Sequence, residues 1–375
     1  MMRSPKSFAI VVRRKSGALI VRERPMPDPR KGVMAWPLVR GVLALVEALR
    51  LGSQALRFSS DHYERDMEQE EAAAQGKQPP ARGKGKAPDP GVLNTLTHGL
   101  LSIAMLDTEQ PPVSAASEKP RSRGAVTWIA LVVALAVFVA LPQAIAFAAS
   151  RLFHFTPDIR SPGFQLLTGV FKLCIVIGYM LVIRRVPEIY RVFQYHGAEH
   201  KAIATWEAEQ ELTVDNARPR SRLHPRCGTT FLVLVVLVSV LVFTAIGPLL
   251  PKLPVGGAGL ENVVFFLMKL PFLPVIAAIT YELQRLSAKY CLTGPLRITL
   301  YPGFAVQKIT TIEPDDNQLQ VALSSLQATL WREDALNYAP STPDDRTFDS
   351  FAQLMAFPPY GASSPAVSSD EHAAS

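Results

Sequence analysis

Apolar residues are unevenly spread along this chain, and where they run unbroken they run at membrane length. Ala125 to Ala149 and Thr229 to Leu250 carry no charge at all. Each is long enough to cross a bilayer as a helix. Gly163 to Ile183 is also long enough, with Lys172 near its middle. Val263 to Thr280 makes a fourth candidate, interrupted by Lys269, Pro271 and Pro274. Val92 to Leu106, which includes His98, is too short to span and is expected to be interfacial or a buried helix.

Outside these runs the pattern changes period. Phe8 to Arg14 and Ala18 to Arg24 are rich in β-formers and are joined by Lys15-Ser16-Gly17, which predicts a hairpin. Leu38 to Phe58 has polar residues at Arg40, Glu47, Arg50, Gln54 and Arg57, a helical spacing. Such an amphipathic helix can lie on the membrane or pack on the ends of the spans. Leu319, Leu323, Leu326 and Leu330 predict a second one over Asp315 to Trp331, started by Thr311 and Pro314. Ser59 to Pro90 and Asp107 to Gly124 show no periodicity and are expected to be disordered linkers, and from about Pro340 the chain is a low-complexity tail.

Charge orients the spans. The net charge is +7, and the basic residues gather at alternate span ends. Lys119, Arg121 and Arg123 precede the first span, and Arg184, Arg185 and Arg191 follow the second. Arg218, Arg220, Arg222 and Arg226 precede the third, and Arg285, Lys289 and Arg297 follow the fourth. The opposite loops carry Arg151, Arg160 and Lys252. The positive-inside rule then places both termini in the cytoplasm of a bacterial inner membrane protein. No basic stripe interleaved with aromatics appears, so nucleic acid is not an expected partner. Cys174, Cys227 and Cys291 form no disulfide framework, and no signal peptide is recognised after Arg3 and Lys6.

The candidate chemistry lies between the second and third spans. His196-Gly197-Ala198-Glu199-His200 puts two imidazoles four residues apart, on one face of a helix that Pro187 can begin. With Ile189, Phe193 and Ile203 they form the buried stripe of that helix. His224 and Cys227 follow, with Pro225 holding them in a turn. Cys227 precedes a helix start at Gly228, Thr229 and Thr230, where the helix N-terminus favours a thiolate. Imidazole and thiolate together suit zinc or another divalent metal. The H-x-x-E-H order occurs in one class of zinc peptidases, where a downstream carboxylate completes the site, and Glu282 is then a candidate ligand. The alternatives are closure by His224, or three ligands with one position open. Glu199 is the candidate general base.

These residues resemble a known family. Phe193-Gln194-Tyr195-His196-Gly197-Ala198-Glu199-His200-Lys201 and Leu223-His224-Pro225-Arg226-Cys227-Gly228-Thr229 are similar to motifs of the YqhQ-like bacterial membrane proteins. So are Tyr281-Glu282-Leu283 with Arg285, Gln307-Lys308-Ile309-Thr310-Thr311 with Glu313-Pro314, Met2-Arg3-Ser4-Pro5 and Arg40-Gly41. The resemblance implies a metal-dependent enzyme of unknown substrate. Members of that family carry a Gly-Gly-Gln-Ala-Val-Ile-Glu-Gly-Val stretch before the Met-Arg, where this chain starts at Met1, and tend to have Arg where this chain has Lys172.

The expected architecture is mainly α, a polytopic helical membrane protein with about four transmembrane helices and a small N-terminal β-hairpin region. Its units are 1–58, hairpin and amphipathic helix; 59–124, linker with the apolar segment 92–106; 125–283, the membrane domain with a His/Cys loop at 184–228; 284–338, a C-terminal segment; and 339–375, a disordered tail. The expected function is a zinc hydrolase at the cytoplasmic membrane face, with His196, His200, His224, Cys227 and Glu282 as metal ligands and Glu199 catalytic. The other reading is a transporter or membrane scaffold with a structural metal. The expected partners are the bilayer and an unidentified substrate.

Overall fold

A computed structural model describes residues 1–26, 36, 39–75, 132–153, 158–251, 253, 257–290, 295–334, 345–357 and 360. The segment 92–106, the linker 107–124, the start of the first span and Cys291 lie outside the described residues. The protein is mainly helical, with four helices long and apolar enough to cross a membrane and a small antiparallel sheet.

Strands β1 (Met2–Arg3), β2 (Ser7–Arg13) and β3 (Leu19–Pro25) form the first three members of that sheet. The β2–β3 hairpin pairs Phe8 with Arg24 and Arg13 with Leu19, and Gly17 supplies the positive φ of 91° its turn needs. Alternation sends Ala9, Val11, Leu19 and Val21 to one face and Phe8, Ile10 and Ile20 to the other. Both faces are covered. Helix α1 (Val39–Ala74) lays Leu51 and Phe58 on the second face.

Helix α1 runs well past the predicted end at Phe58, through the charged stretch assigned to the linker. Its continuation is held by side chains rather than by a hydrophobic stripe. Phe58, His62 and Asp66 recur at four-residue spacing and are buried. Asp66 accepts from Arg14 Nε at 2.7 Å and from the Lys15 amide at 3.1 Å, so the helix is clamped to the hairpin turn. Charges that read as linker in isolation are here the partners of charges on the sheet.

The spans follow in the predicted order. They are α2 (Val132–Leu152), α3 (Pro162–Ile183), α6 (Gly228–Ile246) and the pair α7 (Ala258–Lys269) and α8 (Leu273–Tyr290). Between α2 and α6 in sequence come α3, the His-bearing α4 (Pro187–Glu207) and the short α5 (Val214–Ala217). Pro271 and Pro274 do not end the fourth span. They tighten it to one 3₁₀ turn at Leu270–Phe272, after which the helix resumes. Gly169 lets α3 and α6 touch, since a Cβ there would stand 2.2 Å from Val240 Cγ2. Gly41 does the same for α1 on α8, at 3.0 Å from Ala278 Cα.

The chain then returns through α9 (Tyr301–Thr310) and α10 (Asp316–Asp334). Asp315 caps α10 reciprocally: its Oδ1 accepts from the Gln318 amide at 2.8 Å, and Gln318 Oε1 accepts from the Asp315 amide at 2.9 Å. The helix therefore starts at this box rather than at Thr311 and Pro314. Leu319, Leu323 and Leu326 pack on Ala198 and Ala202 of α4, while Val321 and Ala328 pack on the sheet. The layers outside the bundle are thus α1, sheet, α10 and α4, and α4 carries the candidate site.

The tail departs from its expected disorder. Strand β4 (Arg346–Phe348) pairs with β3, and α11 (Phe351–Met355) follows. Phe348, Leu354 and Tyr360 are buried with Ala9, Val11 and Val21. A short polar stretch with scattered aromatics looks low in complexity, yet it completes a sheet face that α10 only partly covers.

Candidate metal centre

His196 and His200 lie one turn apart on α4, with ring centroids 4.5 Å apart. Cys227 is the N-cap of α6, and its sulfur accepts from the Thr229 amide at 3.4 Å and meets the Thr229 hydroxyl at 3.1 Å. His196 Nε2 faces Cys227 Sγ at 3.2 Å. Ligand atoms from His196, His200 and Cys227 all lie within 4.8 Å of one another, the spacing a single ion needs.

The tautomers are set from outside. His196 Nδ1 is 2.9 Å from Thr310 O and His200 Nδ1 is 2.5 Å from Arg222 O. A carbonyl only accepts, so each Nδ1 carries a proton, and in the neutral ring the Nε2 lone pair faces the thiol side. Such outer hydrogen bonds fix ring orientation in metal sites. The donor chemistry and the directed lone pairs fit a borderline metal such as zinc.

The same contacts make a charged pair without an ion. Burial works to raise the Cys227 thiol, but hydrogen bonds and charge from His196 and His200 outweigh it and bring it down to about 5. Burial likewise opposes a charged His196, yet the Cys227 hydrogen bond and charge, with Glu199, lift it to about 9.

Backbone packing holds the two halves of the site together. Gly197 sits against Ile312, where a Cβ would come within 2.2 Å of the Ile312 carbonyl oxygen, and the Ile312 amide donates to Phe193 O at 3.0 Å. The buried Gln307 pins the His224–Cys227 turn: its Oε1 accepts from the His224 amide at 2.8 Å, and its Nε2 donates to His224 O and Thr230 Oγ1, both at 2.7 Å. Gln284 Nε2 adds a bond to Cys227 O at 2.8 Å. Lys201, buried beside His200, donates to Arg218 O at 2.6 Å and pairs with Glu313, which fixes the loop that supplies the Arg222 carbonyl.

Three of the expected site residues are not in this cluster. His224 lies near His200, at 5.8 Å between ring centroids, but its Nε2 meets Glu207 at 3.2 Å and its Nδ1 accepts from the Arg226 amide at 3.3 Å. Burial tends to raise the Glu207 carboxyl, and the His224 hydrogen bond and charge, with Arg226, hold it below its usual value. Glu282 turns to α1, where Arg40 grips it in a fork with Nε at 2.6 Å. The downstream carboxylate is therefore engaged in an ion pair with α1. Glu199 Oε1 accepts from the Met1 amine at 2.6 Å.

The residues that sequence reasoning left without a role are Thr310, Arg222, Gln307 and Gln284. Two of them act through backbone carbonyls, which no residue type signals. Gln307 and Thr310 fall in a motif that carries the family resemblance, and that motif was the one sign of them.

Fold and site together define a four-span helical membrane protein with a small α/β module seated on a His/Cys cluster at one end of the bundle. A family model described as "Protein of unknown function (DUF1385)" matches residues 36–332, so the chain belongs to that family. "Uncharacterized protein YqhQ" of Bacillus subtilis (strain 168) is 28% identical over 344 residues, covering 90% of each chain. No solved structure matches the chain.

Proposed function

We propose that this protein is a membrane-embedded metal-dependent enzyme, a zinc hydrolase working at the cytoplasmic membrane face, with His196, His200 and Cys227 as its ligands. One observation carries the reading: two imidazoles with their Nδ1 protons committed to carbonyls turn both Nε2 atoms toward one thiolate. A three-residue set leaves a position for substrate or water, as catalytic zinc sites do, whereas closed four-ligand sets are structural. A bound zinc ion would supply Lewis acidity there. The chain's own residues orient the ligands, through the Thr310 and Arg222 carbonyls, and Glu199, beside His200 in the sequence, is the candidate base. The cytoplasmic face follows from the Arg184, Arg185, Arg191, Arg218 and Arg222 charges at the site end of the spans.

The second reading is a transporter or scaffold in which the ion staples α4 to α6. It is favoured by Glu199 standing outside the cluster of His196, His200 and Cys227. Metal content of the purified protein, measured beside Glu199→Gln, His200→Ala and His224→Ala, tests both. We expect about one ion in the wild type, in Glu199→Gln and in His224→Ala, and none in His200→Ala. A wild type that purifies empty and cannot be reloaded sinks the metal reading. A Glu199→Gln protein that turns over a substrate found with the wild type at the wild-type rate removes Glu199 as the base, and a wild type that holds the ion but turns over no substrate favours the staple.

A further inference from the structure

The end of the bundle remote from the His/Cys cluster holds two ammonium groups. Lys172 belongs to the inward stripe of α3, with Gln165, Gly169, Val176 and Met180, and not to the exposed stripe of Leu166, Val170 and Cys174. Its Nζ is 3.4 Å from Ser239 Oγ on α6, and that hydroxyl gives its own proton to Val236 O. Lys269 is 4% exposed. It donates to Gln143 Oε1 at 3.0 Å and Gln165 Oε1 at 2.9 Å, beneath the rings of Phe265 and Phe243 at 4.5 and 5.1 Å. The glutamines are oriented in turn, Gln143 Nε2 by Asn262 O and Gln165 Nε2 by Ile159 O. Gln143 thus serves Lys269.

Neutral amides and rings solvate these charges but do not balance them. Among the described residues the acidic side chains of the spans are Glu261, two turns from Lys269 along α7, and Glu282, which Arg40 occupies. Charges in a bundle core without a counter-charge are costly and mark ligand paths. The spacing is informative. Phe243, over Lys269, and Ser239, the partner of Lys172, stand one turn apart on α6, so both ammonium groups face one stretch of that helix. Two ammonium groups facing one stretch of a helix can each place a charge-assisted bond of about 2.8 Å on separate oxygens of one anion. On the site side Val176, Met180, Val233, Val236 and Val306 close the core, so this pair does not share a ligand with the His/Cys cluster.

We propose that Lys172 and Lys269 together bind one phosphate-type oxyanion within the bundle, either free phosphate or a lipid headgroup. The inference is independent of the metal reading. The test is the thermal melting of protein in nanodiscs, wild type beside Lys172→Gln and Lys172→Arg. Inorganic phosphate is titrated in discs of neutral phosphatidylcholine, and phosphatidylglycerol is added to discs in a second series. The wild type is expected to gain several degrees in one series. Lys172→Gln removes the charge without emptying the core and is expected to need at least tenfold more anion, while Lys172→Arg responds like the wild type. A response to phosphate in neutral discs assigns a free anion. A response confined to phosphatidylglycerol, with one such lipid retained in native mass spectrometry, assigns the headgroup. Absence of stabilisation in both series, or a Lys172→Gln protein that responds as the wild type does, overturns the proposal.

Discussion

At the scale of residues the site is a cluster of lone pairs for which, on the proposed function, protons and a cation compete. Residue types alone named His196, His200 and Cys227, because imidazole and thiol at that spacing have few other uses. They also named His224 and Glu282, which stand outside the cluster of those three. Both have partners from distant parts of the chain, Glu207 and Arg40, that no local pattern shows. The charged pair sets a pH dependence. With Cys227 near 5 and His196 near 9, the metal-free site at pH 7 holds a thiolate and an imidazolium. Binding must then displace the His196 proton but none from Cys227. Affinity is expected to rise about tenfold per pH unit between those two values and to level off above about 9. Below about 5 the Cys227 proton competes as well and the slope steepens. Zinc titration calorimetry at pH 7 in buffers of different ionisation heat should count close to one proton released. A count near zero would mean that His196 is neutral before the ion arrives.

At the scale of elements, α4 has two jobs: it packs on α10 with one face and presents the histidines with another. Its helical period was legible from the spacing of Phe193, His196, His200 and Ile203. Its docking was not, because the decisive contact is a glycine on a carbonyl. Replacing Gly197 by Ala drives a Cβ into the Ile312 oxygen and must shift the Thr310–Ile312 segment. We expect a cost of about 1–3 kcal/mol, together with loss of bound metal as the Thr310 carbonyl leaves His196. Gly228→Ala, at a position with open space around its Cβ, is the matched control and should keep both stability and metal. Thermal melts with metal analysis on the two variants check this. The continuation of α1 makes the same point about charge: Asp66 needs Arg14, fifty-two residues away, before that stretch reads as helix.

For the whole molecule, the bundle and the module outside it are joined where α1 meets α8 and where α9 and the segment after it meet α6 and α4, and β4 and α11 close the module. Phe348, Leu354 and Tyr360 are almost fully buried, and burying a large apolar side chain contributes about 1.5–3 kcal/mol. Ending the chain at Ala339 removes all three, with β4. The truncated protein is therefore expected to melt well below the full chain and to lose metal on standing, since α10 braces α4. A truncated protein that melts with the full-length one would show the tail to be dispensable.

Sequence by itself determined the membrane spans, the hairpin and the candidate site side chains. These depend on local quantities: the length of an apolar run, an alternation of two, a spacing of four. The tertiary structure alone decided which of the listed side chains meet, that charged residues 59–74 continue a helix, and that a polar tail finishes a sheet. Those outcomes turn on pairs far apart in the chain, such as His196 with Thr310 and β3 with β4. Hydrogen bonds and ion pairs become favourable only when folding has removed water from both partners.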